Sequence, residues 1–203
     1  MVYRCGGYFF LSLAAQLPRL MPNRSYADVL EAEAQAQARR RHPFRLVLIF
    51  LTVFIVLQSA WELSRDTWLE HAVIDQATVI PAGWIINQIW PGQHVVAEGH
   101  RLIAPAARLN ILNGCEGLET LFLLAAAFVA YPLAWRVRWL GIGLGTLLVF
   151  MLNQARIVML WHTFLNDRDL FSLLHNTVLP LVMIACCFSF FLVFLSRHDA
   201  EHA

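Results

Sequence analysis

The chain has 203 residues, of which 59% are hydrophobic and 14% are charged. These values exclude an ordinary soluble domain, in which about a quarter of the residues are charged, and they indicate a membrane protein of about one domain. The formal net charge is +1 at pH 7, so no strong field of either sign favours a nucleic acid. The expected surroundings of the chain are a lipid bilayer.

The first 40 residues are interpreted as an N-terminal extension to which no function is given. Residues 7–18, GYFFLSLAAQLP, are similar to a short signal-peptide core with Arg4 before it, but a polar stretch and a longer apolar run follow. A start-site error, with Met21 as the true start, explains this segment equally well. The membrane domain is therefore expected to comprise residues 41–203.

Four apolar runs approach the length of roughly 20 residues with which a helix crosses a hydrocarbon core of about 30 Å. They are residues 44–63, 118–134, 139–160 and 174–195. We therefore predict an all-α integral membrane protein built from a bundle of about four transmembrane helices. Arginines precede the first run, separate the second from the third and follow the fourth, which by the positive-inside rule predicts that these places and both chain ends are cytoplasmic.

The region between the first two runs, residues 64–117, is then expected on the outer side. Residues 72–90 are apolar but contain Asp75 and a central Pro81, and we interpret them as an interfacial or re-entrant helix. After them, apolar and polar residues alternate around the dipeptide at positions 98–99, Glu-Gly. This pattern predicts a short external hairpin.

The sequence NGCEGLE, residues 113–119, combines a helix start signal with a cysteine at the beginning of the second apolar run. Asn113 is a favoured N-cap, and Glu116 can complete a variant of the capping box. Cys115 is then expected in the first helical turn, where free N–H groups and the helix macrodipole favour a thiolate. Because Glu116 and Glu119 oppose a thiolate, a nearby cation is needed.

Two later runs carry polar side chains that are expected at the depth of Cys115. Arg156 lies on one helix face with Asn153, and a charged residue inside a membrane segment usually faces a cavity or a partner. At 1.5 Å per residue, Arg156 lies roughly 25 Å from the inner end of its helix, and His175 and Cys115 lie roughly 30 Å from theirs. Three helices are therefore expected to bring a thiol, a guanidinium and an imidazole to the outer surface.

These three groups are the ones that acyl transfer uses. A thiolate attacks a carbonyl, an imidazole moves the proton, and Arg156 either stabilises the oxyanion or holds a substrate carboxylate. The sequence leaves open whether the base is His175 or His162, which also lies near the outer end of its run. A structural ion pair of Arg156 with Glu119 or Glu116 is the alternative interpretation of the arginine.

No cofactor and no metal site are predicted. The chain has four cysteines: Cys5, Cys115, Cys186 and Cys187. Their spacing matches neither a disulfide framework nor a zinc site, and a metal site of Glu116 and Glu119 with His175 is disfavoured because HExxH and paired-glutamate patterns are absent. The glycines of LGIGLG, residues 140–145, are interpreted as a close helix-packing face and not as a nucleotide loop.

These residues resemble the exosortase/archaeosortase family of membrane transpeptidases. The similarity is carried by Cys-x-Gly in NGCEGLE, by Asn-x-x-Arg-Ile in NQARI and by the histidine of LLHNTVLP. The resemblance implies a catalytic set of Cys115, Arg156 and His175, with Gly117 and Asn153 in support. It also implies a substrate, namely a secreted protein whose C-terminal tail has a short motif, a transmembrane helix and a basic cluster.

We therefore expect a multi-pass cysteine transpeptidase or protease of the inner (cytoplasmic) membrane, with its site on the extracytoplasmic side. It would cleave the C-terminal sorting signal of secreted proteins through a thioester and transfer or release the product. The alternative is a non-enzymatic membrane assembly or scaffold protein. In that case Cys115 is inert and Arg156 is structural.

Overall fold

The computed structural model describes residues 26–105, 107–111 and 114–199 of the chain, with side chains described from residue 43 to residue 198 of these ranges. The chain divides into two units, Met1–Arg45 and Leu46–Ala203. In the first unit, the described residues are helical. The signal-like segment at 7–18 and the expected N-cap Asn113 lie outside the described residues.

The first helix, α1, runs through Tyr26–Leu63, and its part Pro43–Leu63 is long and apolar enough to cross a membrane. This part corresponds to the predicted first span, residues 44–63. Among the described side chains of α1, only that of Trp61 is buried. The apolar surface of Pro43–Leu63 is therefore available to lipid along most of this part of the helix.

The predicted interfacial segment, residues 72–90, is helical and packs into the protein core. It follows the short helix α2 (Trp68–His71) as a π-helical stretch (Ala72–Val79) and the helix α3 (Ile80–Ile89). Pro81 lies in the first turn of α3, directly after the π-helical stretch, and it removes one backbone N–H from the helical hydrogen bonds at this junction. One core cluster combines this segment with the neighbouring elements: Trp61, Ile74, Val79, Ala82, Ile86, Val95, Leu102, Ile111, Ile157 and Trp161.

A three-stranded antiparallel sheet follows α3 and a single 3₁₀ turn. Its strands are β1 (Val96–Glu98), β2 (Arg101–Ala104) and β3 (Ala107–Asn110), in the order β1-β2-β3. Glu98 pairs with Arg101 at the end of the first hairpin, and Gly99 adopts a φ of 55° in its turn. The sequence predicted strand pairing around this turn, but it did not predict β3.

The second predicted span is shorter in the structure than the apolar run from which it was inferred. Helix α4 covers Leu118–Ala130, or 13 residues, which is about 20 Å of helix. The backbone of Tyr131 is extended, with a ψ of 139°, because Pro132 disfavours a helical conformation at the residue before it. The prediction of residues 118–134 as one helix overlooked this proline.

Two long apolar segments follow α4. Helix α5 covers Trp135–Asn166, and α6 (Arg168–Leu173), a π-helical turn (Leu174–Val178) and α7 (Leu179–Asp199) then run in succession. Within the described residues, three helical segments are long and apolar enough to cross a membrane: Pro43–Leu63, Trp135–Asn166 and Arg168–His198. The protein is thus mostly helical with three candidate spans, where the sequence indicated about four.

Two glycines allow α5 to pack closely against α4. A Cβ atom at Gly141 would lie 2.5 Å from Cε1 of Phe128, and one at Gly145 would lie 2.6 Å from Cδ2 of Leu124. A Cβ at Gly143 would meet no atom within 4 Å. The predicted packing face of LGIGLG is confirmed for the first and third glycines of the motif.

Gly141→Ala is expected to destabilise the protein by about 1–3 kcal/mol, because the new methyl group overlaps the ring of Phe128. Gly143→Ala is the matched control, since its methyl group enters open space and alanine has the higher helix propensity. The midpoint of unfolding in detergent measures both effects. Equal midpoints for the two variants would contradict this account of the packing.

Candidate active site

Cys115 lies in a short loop between β3 and α4, which we call the cysteine loop (residues 114–117). Gly114 and Gly117 have φ values of 94° and 78°, in the left-handed region that glycine adopts most readily. Helix α4 begins at Leu118, with Gly117 as its N-cap residue. The expectation that Cys115 occupies the first helical turn, with Asn113 as the cap, is therefore wrong, because the positive φ at Gly117 keeps the loop outside the helix.

Gly117 is also required by the close approach of α5. A Cβ at this position would lie 3.1 Å from Cγ and 3.2 Å from Oδ1 of Asn153, and the Asn153 side chain is buried. The two supporting residues that the sequence singled out are thus neighbours. Any side chain at position 117 would both strain the backbone and press against Asn153.

Glu116 is buried, and both of its carboxylate oxygens accept hydrogen bonds. Its Oε2 accepts from the backbone N–H of Gly114 at 2.6 Å, and its Oε1 accepts from the indole N–H of Trp61 at 3.1 Å. Burial raises the pKa of the Glu116 carboxyl, the charge of Glu119 adds to the rise, and the accepted hydrogen bonds oppose it. Glu119 itself is exposed in the first turn of α4.

The structure brings the imidazole of His175 next to the thiol of Cys115. The Cys115 sulfur lies 3.9 Å from Nε2 and 4.0 Å from Nδ1 of His175. The ring of His175 stacks on that of Phe171, with 5.5 Å between the ring centroids and 10° between the planes. This stacking fixes the plane of the imidazole at the thiol.

His162, the alternative base, has different neighbours. Its ring stacks on Trp90 with 5.2 Å between the centroids, and Asn166 lies beside it, with Nδ2 3.5 Å from the ring Nδ1. The same Asn166 amide donates to the backbone carbonyl of His162 at 2.7 Å. Of the two histidines that the sequence left open, His175 is therefore the one in contact with Cys115.

Arg156 lies on α5 and reaches the cysteine loop from that helix. Its side chain is buried, and its Nη1 donates to the backbone carbonyl of Gly114 at 3.4 Å. Within the described part of the chain, neither Glu116 nor Glu119 forms a salt bridge with Arg156. Its Nε has no hydrogen-bond partner among those residues. The ion pair considered as an alternative for Arg156 is thus not formed.

A cavity of about 270 Å³ opens beside the thiol and the imidazole. Its walls come from the end of the sheet, the cysteine loop, α5 and the segment around α6: Leu109, Asn110, Ile111, Cys115, Ile157, Leu160, Phe171 and His175. Most of these side chains are apolar. The cavity can therefore hold an apolar group against the sulfur while it limits access of water.

Sequence reasoning missed two residues of this site, Trp61 and Phe171. Phe171 is four residues before His175, so helical spacing could have indicated a contact between the two rings. Trp61 is 55 residues from Glu116 in the chain, and no local pattern relates the two. The cysteine loop, α5 and the segment after α6 together bring a thiol, an imidazole and a guanidinium to one place, which is a suitable arrangement for nucleophilic acyl transfer.

Comparison with known protein families identifies a similarity over most of the chain. The family model described as transmembrane exosortase matches residues 32–193, a range that includes every residue of the site described above. A search of curated proteins and a search of solved structures each found no match to the chain.

Proposed function

Because the chain belongs to the transmembrane exosortase family, we propose that it is a cysteine transpeptidase or protease that cleaves the C-terminal sorting signal of secreted proteins. The observation that carries this proposal is the distance of 3.9 Å between the Cys115 sulfur and Nε2 of His175 at the wall of a cavity. A scaffold protein has no need for a buried arginine and a stacked histidine around one thiol.

The proposed reaction has two steps. Cys115 transfers its proton to His175, and the thiolate attacks the scissile carbonyl carbon, so that a carbon–sulfur bond forms. The carbon–nitrogen bond then breaks, and the imidazolium of His175 gives its proton to the leaving amine. In the second step, water or an acceptor amine attacks the thioester and loses a proton to His175, which returns it to the departing sulfur.

Arg156 is proposed to stabilise the oxyanion that develops during both steps. Its guanidinium contacts the cysteine loop through the carbonyl of Gly114, and its Nε has no partner among the described residues. A fixed cation in a site that excludes water stabilises developing negative charge more strongly than it stabilises a neutral carbonyl. The other role considered for this residue, binding of a substrate carboxylate, would act on substrate affinity.

Arg156→Lys distinguishes these roles of the arginine. Lysine keeps the charge but loses the planar fork of donors, so we expect kcat to fall by roughly 10²–10³-fold, the range for loss of an oxyanion donor, with little change in KM. The measurement is steady-state cleavage of a synthetic tail peptide by the full chain in detergent. A rise in KM at constant kcat would assign Arg156 to substrate binding instead.

We further propose that the site faces the extracytoplasmic side of the inner membrane. The arginines before residue 44, at positions 136 and 138 and at position 197 support a cytoplasmic location for the opposite ends of the helices. A substrate with a short motif, a transmembrane helix and a basic tail would lie in the bilayer beside the bundle and present its scissile bond at the depth of Cys115. Labelling of Cys115 in intact spheroplasts by a membrane-impermeant thiol reagent tests this orientation.

Processing of a tailed substrate tests the proposed function as a whole. The chain is co-expressed with a reporter that ends in the C-terminal tail of a secreted protein from the same genome, and loss of the tail is followed by mass spectrometry. We expect the reporter to be shortened only when the chain is present. Failure to process any such tail, with the protein folded in the membrane, would favour the scaffold alternative.

A further inference from the structure

We infer that Trp61 and Glu116 act together as a clamp that positions the Cys115 thiol against His175. The inference rests on the proposed function, but it concerns two residues that do not take part in the chemistry themselves. Trp61 is on α1, and Glu116 is the neighbour of Cys115 in the cysteine loop. They meet through one hydrogen bond of 3.1 Å from the indole N–H to Oε1.

Burial of Glu116 has a cost in free energy that its hydrogen bonds must offset. A buried carboxylate is unfavourable unless its oxygens accept hydrogen bonds, and here each oxygen has one donor, from Trp61 and from Gly114. Removal of either donor would leave an uncompensated polar group beside the nucleophile. The side chain of Glu116 is therefore held in one orientation, and the backbone of the loop is held with it.

The peptide groups of Gly114 are held from two sides. The N–H of Gly114 donates to Oε2 of Glu116, and its carbonyl accepts from Nη1 of Arg156. Residues 114–117 belong to no helix or strand, so the loop has no hydrogen-bond ladder of its own. In place of such a ladder, Arg156 on α5 holds Gly114 directly. Glu116 links Gly114 to Trp61 on α1.

Trp61 differs in burial from the other described side chains of α1. Its side chain is 7% exposed, whereas the other described side chains of this helix are not buried. The contact between Trp61 and Glu116 is thus a point at which a largely lipid-exposed helix reaches the cysteine loop. The clamp makes the geometry of the nucleophile depend on how α1 is placed.

The main test is Trp61→Phe, which removes the indole N–H but keeps an aromatic ring and the charge of Glu116. We expect kcat to fall by roughly 10- to 100-fold with KM nearly unchanged. A fall in kcat of this size corresponds to the loss of a hydrogen bond to a charged group. Trp68→Phe is the matched control, because Trp68 is exposed, and its kcat should equal that of the unchanged chain. A kcat for Trp61→Phe within about twofold of the unchanged chain would overturn the clamp.

Glu116→Gln tests the same clamp from its other side. Glutamine keeps the size of the side chain but has only one acceptor oxygen. One of the two donors, the indole N–H of Trp61 or the backbone N–H of Gly114, would then face the NH₂ group of the amide. Loss of a negative charge near a thiolate would by itself favour the thiolate, so a fall in kcat indicates positioning and a rise indicates a charge effect. Glu62→Gln is the control, since Glu62 follows Trp61 in the chain but pairs with Arg65 at 2.6 Å.

Alkylation of Cys115 by iodoacetamide provides a readout that needs no substrate. Mass spectrometry of the peptide that contains Cys115 gives the rate as a function of pH for the full chain in detergent. For Trp61→Phe we expect the midpoint to shift to higher pH, because a displaced thiol loses its contact with His175. Superimposed profiles of the variant and the unchanged chain would refute the clamp, even if no substrate were processed and the proposed function had failed separately.

Discussion

Cys115→Ala is expected to abolish cleavage of a tailed substrate, with a loss of roughly 10⁴-fold or more in kcat. The reason is that the thiol is the nucleophile of the first step, and neither His175 nor Arg156 can form the thioester in its place. Small rate enhancements from the remaining groups of the site can persist, since substrate binding and charge stabilisation do not need the sulfur. The measurement is single-turnover cleavage of a tail peptide, followed by mass spectrometry.

A matched control for this substitution is Cys186→Ala, which removes a thiol from α7 at a position outside the site. We expect it to retain the activity of the unchanged chain. Cys115→Ser adds a stricter comparison, because it keeps the size of the side chain and introduces a much weaker nucleophile. Full processing by Cys115→Ala would remove the cysteine from the mechanism and with it the central assignment of the site.

His175→Gln is expected to have the second largest effect, a loss of roughly 10²–10⁴-fold in kcat, which is the usual contribution of general acid–base catalysis. Glutamine retains hydrogen-bonding groups of similar reach but cannot take the proton from Cys115. The thiol would then react as an ordinary cysteine, and the leaving amine would lack a proton donor. The pH profile of the cleavage rate should no longer show the change in rate that titration of the imidazole produces.

His162→Gln is the control for this prediction, because the sequence offered His162 as the other base. In the structure its ring stacks on Trp90 and it is Asn166 that lies beside its Nδ1, so we expect kcat to change by no more than about twofold. The opposite result, a large loss for His162→Gln and a small one for His175→Gln, would exchange the two roles. Equal losses would argue that neither ring acts as the base.

The parts of the site that could be predicted from the sequence are those that depend on helix geometry. The rise per residue gave similar depths for Cys115, Arg156 and His175, and the structure places the thiol 3.9 Å from one histidine nitrogen and the guanidinium at the carbonyl next to the thiol. The long apolar runs likewise predicted the three segments that are able to span a membrane. These features depend on periodicity and length, which a single sequence displays directly.

The local structure around Cys115 could not be predicted in the same way. The capping pattern favoured Asn113 as the start of α4, but the positive φ of Gly117 and its contact with Asn153 decide where the helix begins. The hydrogen bond between Trp61 and Glu116 joins residues that no local pattern connects. Both features depend on how α1 and α5 pack against the loop, and packing is not encoded in the spacing of residues along one segment.

The end of α4 could have been predicted more closely from the sequence. The apolar run continues to residue 134, but Pro132 ends the helix at the residues before it. The third strand, β3, is a different case, because its four residues alternate in burial without a strong apolar pattern. β3 pairs with β2 and precedes the cysteine loop in the chain. A strand without a strong apolar pattern therefore helps to position the nucleophile.

Mass spectrometry of the acyl-enzyme tests the central claim most directly. The full chain in detergent is mixed with a tail peptide, quenched in acid within one turnover and digested. We predict a peptide containing Cys115 that carries the mass of the substrate fragment on the N-terminal side of the cleaved bond, and that loses this mass when treated with hydroxylamine. Cleavage of the substrate with Cys115 recovered only as an unmodified thiol, or with the fragment attached to another residue, would contradict the account.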